Sequence, residues 1–156
     1  MAAIEARLAE LGITLPAVAA PVAAYVPAVA TGSLVFTAGQ LPFIDGALPA
    51  TGKVGDGDGL IPATVAAGYA RTAALNALAA VAAEIGSLDR VVRIVKVTGY
   101  VASDPSFTAH SVVMNGASEV IGQIFGDAGL HARSSIGMAV LPMDAPVEVE
   151  LIVEFA

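Results

Sequence analysis

The spacing of apolar residues in the first third of the chain predicts a short helix followed by a hairpin. Apolar side chains recur at helical spacing over residues 4–11, and Gly12 follows them as a helix-ending residue. The stretch AYVPAVATGSLVFTAGQLP then places two β-branched runs around Thr31 and Gly32, which is typical of a β-hairpin. Residues 43–60 are rich in glycine and poor in large apolar groups, so we expect a loop there.

The middle of the chain alternates between helical and strand patterns. Pro62 suits the first turn of a helix, and the alanine-rich stretch after it predicts a long helix that ends at Gly86. Residues 91–102, VVRIVKVTGYVA, are mostly apolar with many β-branched side chains and predict a strand. Residues 109–125 predict a second long helix.

Two further strand patterns end the chain, separated by the turn PMDAP. We expect SSIGMAVL, residues 134–141, and VEVELIVEF, residues 147–155, to pair as an antiparallel hairpin. The order after the first helix is then β-β-α-β-α-β-β. This order predicts an α+β fold with the helices on one face of a single sheet.

The last of these strands alternates strictly between apolar and acidic residues. Its glutamates, Glu148 among them, share one face, and a solvated acidic face is the ordinary interpretation. The simplest register of the closing hairpin sets Leu141 opposite Val147. Arg133 then lies opposite Phe155, on the face away from Glu148. A bulge could change this parity, or a neighbouring chain could bring its own glutamate to the arginine; we favour the neighbouring chain.

The composition favours an oligomer. Of the 156 residues, 56% are hydrophobic and only 13% are charged, which leaves few charges to cover a monomer. The uncharged run at residues 11–44 is broken by prolines and glycines, so we expect no membrane-spanning helix there and no membrane partner. Since small and branched apolar residues make up much of the surplus, burial between subunits is expected.

Charge and cysteine content exclude other classes of function. A net charge of −7 with scattered basic residues provides no surface for nucleic acid. The chain has no cysteine, which excludes disulfides, a thiolate nucleophile and a zinc site of the cysteine type. The amino terminus is typical of an amphipathic helix and not of a secretion signal, so we expect a cytoplasmic protein.

One arginine is the main candidate for chemistry. Arg133 is the only basic residue after Lys96, in a segment that carries seven acidic residues. An arginine near the start of a strand is most often a surface ion-pair partner. Its planar guanidinium also matches a carboxylate and stays charged when desolvated, so it could anchor a small carboxylic acid.

Other candidate motifs are weaker. GDGDG at residues 55–59 lacks the later ligands of a calcium loop. His110 and His131 have no metal-ligand spacing and are expected to be structural or at the surface. Ser134 and Ser135 have no G-x-S-x-G context for a nucleophile. We expect neither a metal ion nor a cofactor.

Together these stretches resemble the RidA family, also called the YjgF family, of enamine and imine deaminases. The resemblance covers nearly the whole chain after the first helix, and the final segment with A-R-S, L-P and E-x-E is its most specific part. The matching pieces are YVPAV at 25–29, GSLVFTAGQLP at 32–42, the helix with Asn76, VVRIVKVTGYV at 91–101, VMNGAS at 113–118, HARSSIGMAVLP at 131–142 and VEVELIVEF at 147–155.

The resemblance implies a single chorismate-mutase-like domain over residues 1–156, with residues 1–12 as an additional helix. It implies a mixed sheet and a homotrimer with ligand sites between subunits. By the same resemblance Arg133 is the carboxylate clamp and Glu148 holds the attacking water. Asn115 lies near the site, Tyr25 lines its pocket, and Gly39 matches a pocket glycine.

Three positions depart from the family pattern. Ala38 stands where serine is common, Ser135 where cysteine is common and His131 where proline is common. Ala38 and Ser135 are retained as substrate-binding positions. Losing the cysteine removes no necessary step if charge and backbone groups orient an attacking water. These departures bear on the choice of substrate more than on the reaction.

Two functions of different classes follow. The first is hydrolytic deamination of reactive enamines or imines from amino acids, which gives a 2-keto acid and ammonia. The alternative is a non-catalytic trimer that binds or senses a small carboxylate, for which Glu148 brings no advantage. A third possibility, an endoribonuclease, is disfavoured by the acidic balance.

Overall fold

The helices and strands occur in the predicted order. The computed structural model describes residues 3–18, 20 and 23–156. Short 3-10 turns at Leu88–Arg90, Gly126–Gly129 and Pro142–Asp144 connect some of the elements. In chain order the main elements are α1 (Ala3–Glu10), β1 (Ala28–Thr31), β2 (Leu34–Thr37), α2 (Ala63–Ile85), β3 (Val91–Ala102), α3 (His110–Phe125), β4 (Ala132–Met138) and β5 (Val147–Phe155).

The long helix α2 is the central core helix. It ends where Gly86 adopts a left-handed conformation with φ 87° and donates its backbone N–H to the carbonyl of Ala82. By length and composition α2 could cross a membrane, but 61% of its most apolar 18-residue window is buried inside this fold. Its many alanines allow close packing against the sheet and α3, as in the core helix of a globular fold.

The five strands form one mixed sheet in the order β1-β2-β5-β3-β4. β4 runs parallel to β3, and every other pair is antiparallel. The predicted hairpin of β4 with β5 is therefore wrong, since β3 lies between them. A helical crossover such as α3 returns the chain parallel to the strand it left, so β4 occupies one side of β3 and β5 takes the other.

The predicted register is also wrong, although its consequence for the two candidate residues holds. Arg133 lies beside Val97 and Phe155 lies beside Val91. Val97 is fully buried under the helices, so Arg133 faces α3. Glu148 lies beside Tyr100, on the opposite face of the sheet.

The two faces of the sheet differ in what covers them. The core lies between the sheet and the helices. Four inward residues of β5 are at most 1% exposed: Val147, Val149, Leu151 and Val153. None of the described helices covers the other face. Exposed apolar side chains on that open face come from three strands: Val29, Phe36, Ile136 and Met138.

Candidate functional site

A small hollow surrounds Glu148 at one end of the sheet. It encloses about 110 Å³ and brings together three of the expected site residues, Tyr25, Gly39 and Glu148. Strand β5 presents Glu148 to it, and a backbone bridge between Gln40 and Val149 holds the chain after β2 against β5. The remaining walls are formed by Ala20, Pro27, Gln40, Leu41, Phe43, Pro142 and Met143.

Gly39 leaves the space that the Glu148 carboxylate occupies. A Cβ added at Gly39 would lie 2.7 Å from Cδ of Glu148 and closer still to Oε1. Gly39 does not have a positive φ, so its backbone would accept another residue. The glycine therefore provides space for the carboxylate in its present position, and it does not serve to permit a special backbone conformation.

The carboxyl group of Glu148 is shifted toward its protonated form. Burial raises its pKa above the ordinary value of 4.5, and the negative charge of nearby Glu150 raises it further. Tyr100 donates its hydroxyl hydrogen to Oε1 of Glu150 at 3.0 Å, and burial raises the pKa of that hydroxyl, followed by the effect of Glu150. A carboxyl with a raised pKa is suited to taking up and returning a proton.

A second polar cluster lies between β4 and α3, around Arg133. Nη1 of Arg133 donates to Oδ1 of Asn115 at 3.0 Å and to Oγ of Ser118 at 3.0 Å. Nη2 donates to the backbone oxygen of Ser111 at 3.3 Å. All three acceptors are neutral, and in the described part of the chain no carboxylate lies within 4.0 Å of this guanidinium. The surface ion pair, which was the alternative to a carboxylate anchor, is not present among these residues.

Ser118 links this cluster to a histidine. Its Oγ is 2.8 Å from Nε2 of His131, and Nδ1 of the same ring is 2.6 Å from the backbone oxygen of Gly129. His110 has a separate role, because its Nε2 lies 3.1 Å from Oγ of buried Ser103. Both histidines are thus held by local contacts, in agreement with their expected structural character.

The expected site residues fall into two groups. Tyr25, Gly39 and Glu148 share the hollow, and Ala38 precedes Gly39 with its backbone N–H bonded to the carbonyl of Pro27. The other group consists of Arg133, Asn115 and Ser135. Ser135 lies beside Gly99, which faces α3, so it is on the same side of β4 as Arg133. Because the two groups face opposite sides of the sheet, one chain does not bring them into a single pocket.

Sequence reasoning gave Asn115 but missed Ser118 and Ser111, the other two residues that support Arg133. Ser118 follows Asn115 by three positions on α3, a spacing that places both side chains on one face of the helix. That spacing was a detectable signal. The contribution of the Ser111 backbone carbonyl had no signal in the sequence.

Comparison with known proteins gives a consistent result. A family model described as "YjgF/chorismate mutase-like, putative endoribonuclease" matches residues 5–155. Protein TCP17 of Trypanosoma cruzi is 43% identical over 152 residues, which cover 97% of this chain and 93% of that protein. The crystal structure of Atu1372 from Agrobacterium tumefaciens, a protein described as having unknown function, is 42% identical with a TM-score of 0.89. That match covers 99% of this chain and 94% of the other.

A second similar structure carries a ligand. Escherichia coli TdcF with bound serine is 27% identical with a TM-score of 0.65, and the match covers 92% of this chain and 96% of TdcF. The family model spans nearly the whole chain, and the fold agrees with it in element order and sheet. The chain therefore belongs to the YjgF/chorismate mutase-like family, which confirms the resemblance drawn from its motifs.

Proposed function

We propose that this protein hydrolyses reactive enamines or imines of amino acids to a 2-keto acid and ammonia. The sites are shared between subunits of a homotrimer. Each site joins the Arg133 cluster of one subunit to the Glu148 hollow of its neighbour. No metal ion or cofactor is required in this scheme.

The observation that carries the proposal is the arrangement of the Arg133 guanidinium. Three of its five N–H hydrogens are used by Asn115, Ser118 and Ser111. Among the described residues, Nε–H and one hydrogen of Nη2 have no acceptor. Nε and Nη2 form one edge of the guanidinium, and two donors on such an edge match the two oxygens of a carboxylate. TdcF, which holds serine, is a relative with a ligand that carries a carboxylate.

In this proposal Glu148 is the proton acceptor, a function that the Arg133 guanidinium cannot provide. Water adds to the carbon of the C=N bond, and the carboxylate of Glu148 accepts a proton from that water. That proton passes to the imine nitrogen, which gives a carbinolamine. Glu148 then takes the hydroxyl proton of the carbinolamine and delivers it to the nitrogen as the C–N bond breaks, so ammonia leaves and a 2-keto acid remains. The raised pKa of Glu148 brings its proton affinity closer to that needed for both transfers.

Assembly of several subunits would bring Arg133 and Glu148 into one site, which a single chain does not do. Arg133 and Glu148 face opposite sides of the sheet, so a site that uses both must take them from two chains. The open sheet face carries exposed Val29, Phe36, Ile136 and Met138, which suits burial against another copy. These features support a shared site.

A protein that binds a carboxylate without turning it over, a sensor, is the second candidate. The Nε and Nη2 donors of Arg133 would serve such binding as well as they would serve catalysis. The sensor gains nothing from the Glu148 carboxylate, whose charge would repel that of the ligand. Endoribonuclease activity, which the family description names, is less well supported, since a net charge of −7 disfavours contact with a phosphate backbone.

The decisive experiment mixes two inactive chains. R133A and E148Q subunits are dissociated and reassembled at equal amounts, and formation of keto acid from freshly generated 2-iminobutyrate is followed. If each site takes Arg133 and Glu148 from different subunits, about one quarter of the sites in a random mixture regain both residues. The mixture should therefore show about one quarter of wild-type activity, while each variant alone is inactive.

The control mixes R133A with the double variant R133A/E148Q, which has no intact Arg133 and should stay inactive. If verified mixed trimers recover no activity, the proposal of a site shared between subunits is refuted. A wild-type protein that binds keto acids without turning over imines would instead establish the sensor.

A further inference from the structure

We infer that His131 is a positioning residue for Arg133, acting through Ser118, so that the clamp binds carboxylates in a fixed orientation. The inference rests on the proposed function, in which Arg133 holds the substrate. It assigns a role to a histidine that the mechanism does not otherwise use. Three contacts in series carry it: Gly129 with His131, His131 with Ser118, and Ser118 with Arg133.

The direction of each hydrogen bond follows from donor and acceptor chemistry. The backbone oxygen of Gly129 only accepts, so Nδ1 of His131 carries the hydrogen in their 2.6 Å contact. In the neutral ring Nε2 is then an acceptor, and the hydroxyl of Ser118 donates to it at 2.8 Å. The lone pairs of that hydroxyl are left to face Nη1 of Arg133 at 3.0 Å.

This order of donors makes Ser118 a directed acceptor for the guanidinium. A serine hydroxyl without a partner for its hydrogen rotates freely among its staggered positions, and only some of these aim a lone pair at Nη1. His131 removes that freedom. Asn115 and Ser118 then hold both hydrogens of Nη1, and the edge with Nε and Nη2 stays turned toward the ligand.

Among the described residues, the ring of His131 is linked to Arg133 through Ser118. His131 lies immediately before β4, two residues before Arg133, and its ring nitrogens are bonded to Gly129 and Ser118. A local structural role and a positioning role therefore depend on different nitrogens: Nδ1 holds the turn Gly126–Gly129, and Nε2 orients Ser118.

Two substitutions of His131 test the hydrogen bonds of its two ring nitrogens independently. In H131N the side-chain amide replaces Nδ1 and keeps the bond to Gly129, but it is too short to reach Ser118. In H131Q the amide oxygen reaches the place of Nε2 and accepts from Ser118, while the bond to Gly129 is lost. The probe is the affinity for 2-oxobutyrate, measured by calorimetry, together with kcat and KM for 2-iminobutyrate.

We expect H131N to weaken 2-oxobutyrate binding about tenfold, as for loss of one hydrogen bond that orients a charged group. H131Q should stay within about twofold of wild type. S118A removes the middle of the series without touching the turn, and it should weaken binding at least as much as H131N. Because the clamp holds substrate and transition state alike, KM should rise while kcat changes little.

The opposite order, with H131Q impaired and H131N like wild type, would show that His131 only holds the turn and would overturn the inference. Equal affinity in S118A and wild type would overturn it too, even if neither His131 variant folds. R133A distinguishes this failure from failure of the proposed function. If R133A retains affinity the clamp itself is wrong, whereas loss of binding in R133A alone would leave the clamp intact and remove only the positioning role.

Discussion

Gly39 gives the sharpest test of the geometry around Glu148. In G39A the new Cβ would lie 2.7 Å from Cδ of Glu148, whereas ordinary contacts of a Cβ begin at 3.4 Å. The difference requires Cδ to move by about 0.7 Å, and the carboxylate oxygens by more. Because this group is the end of a flexible side chain, it should swing aside with little effect on folding.

The expected cost therefore falls on turnover. A displacement of about 1 Å in a reacting group costs on the order of 100-fold in rate, so G39A should lower kcat for 2-iminobutyrate roughly 10- to 100-fold. Thermal unfolding should stay close to that of wild type. G68A is the matched control, because Gly68 is an exposed residue of α2 and an added Cβ would meet no atom within 4 Å outside the helix's own backbone.

A double-mutant cycle identifies the target of the new methyl group. In the E148Q background G39A should add less than about twofold, since the group that it displaces is already inactive. If G39A retains wild-type kcat, the position of the Glu148 carboxylate does not matter to the reaction. An undiminished effect of G39A in E148Q would show that the methyl group acts on something else in the hollow.

Two further predictions concern charge. R133K should lower the affinity for 2-oxobutyrate about tenfold or more, because the point charge of lysine does not reproduce two parallel N–H donors. An affinity equal to that of wild type would contradict the two-donor contact of Arg133 with a carboxylate. E150Q should move the acid limb of the kcat/KM profile for 2-iminobutyrate to lower pH. The proposed reaction uses the Glu148 carboxylate as its base. Burial and then Glu150 raise the pKa of that carboxyl, so removing the charge of Glu150 lowers the pKa. A limb that stays in place or moves to higher pH would count against Glu148 as the titrating base.

Local patterns predicted the elements of this fold because their causes are local. The glycine at position 86 ends α2 by adopting a left-handed conformation, and the strand predicted at 91–102 coincides with β3. The pairing of the last two strands was not predictable from such signals. A turn between two strand patterns favours a hairpin, but whether β4 and β5 pair depends on which side of β3 the crossover helix α3 leaves open.

In the candidate site, too, some features were predictable from local sequence patterns and others were not. The spacing of Asn115 and Ser118 was readable as one helix face, and Arg133 stood out as the only basic residue of its segment. The contact of Gly39 with Glu148 could not be read from spacing, because it depends on β5 lying beside β2. The resemblance to a family supplied Gly39, and the structure supplies the physical reason for a glycine there.

The environment of Arg133 supports the proposal that this residue serves to bind a ligand and not to stabilise the fold. The chain has twice as many acidic as basic residues, 14 against 7, yet this arginine is met only by neutral oxygens from Asn115, Ser118 and Ser111. A partly buried charge without an opposite charge costs folding free energy, and one carboxylate on β4 or α3 would have offset that cost. Such a carboxylate would also have occupied the Nε and Nη2 donors. Neutral acceptors hold the guanidinium in place while leaving its charge uncompensated, so the missing negative charge is the one that a carboxylic acid substrate would bring.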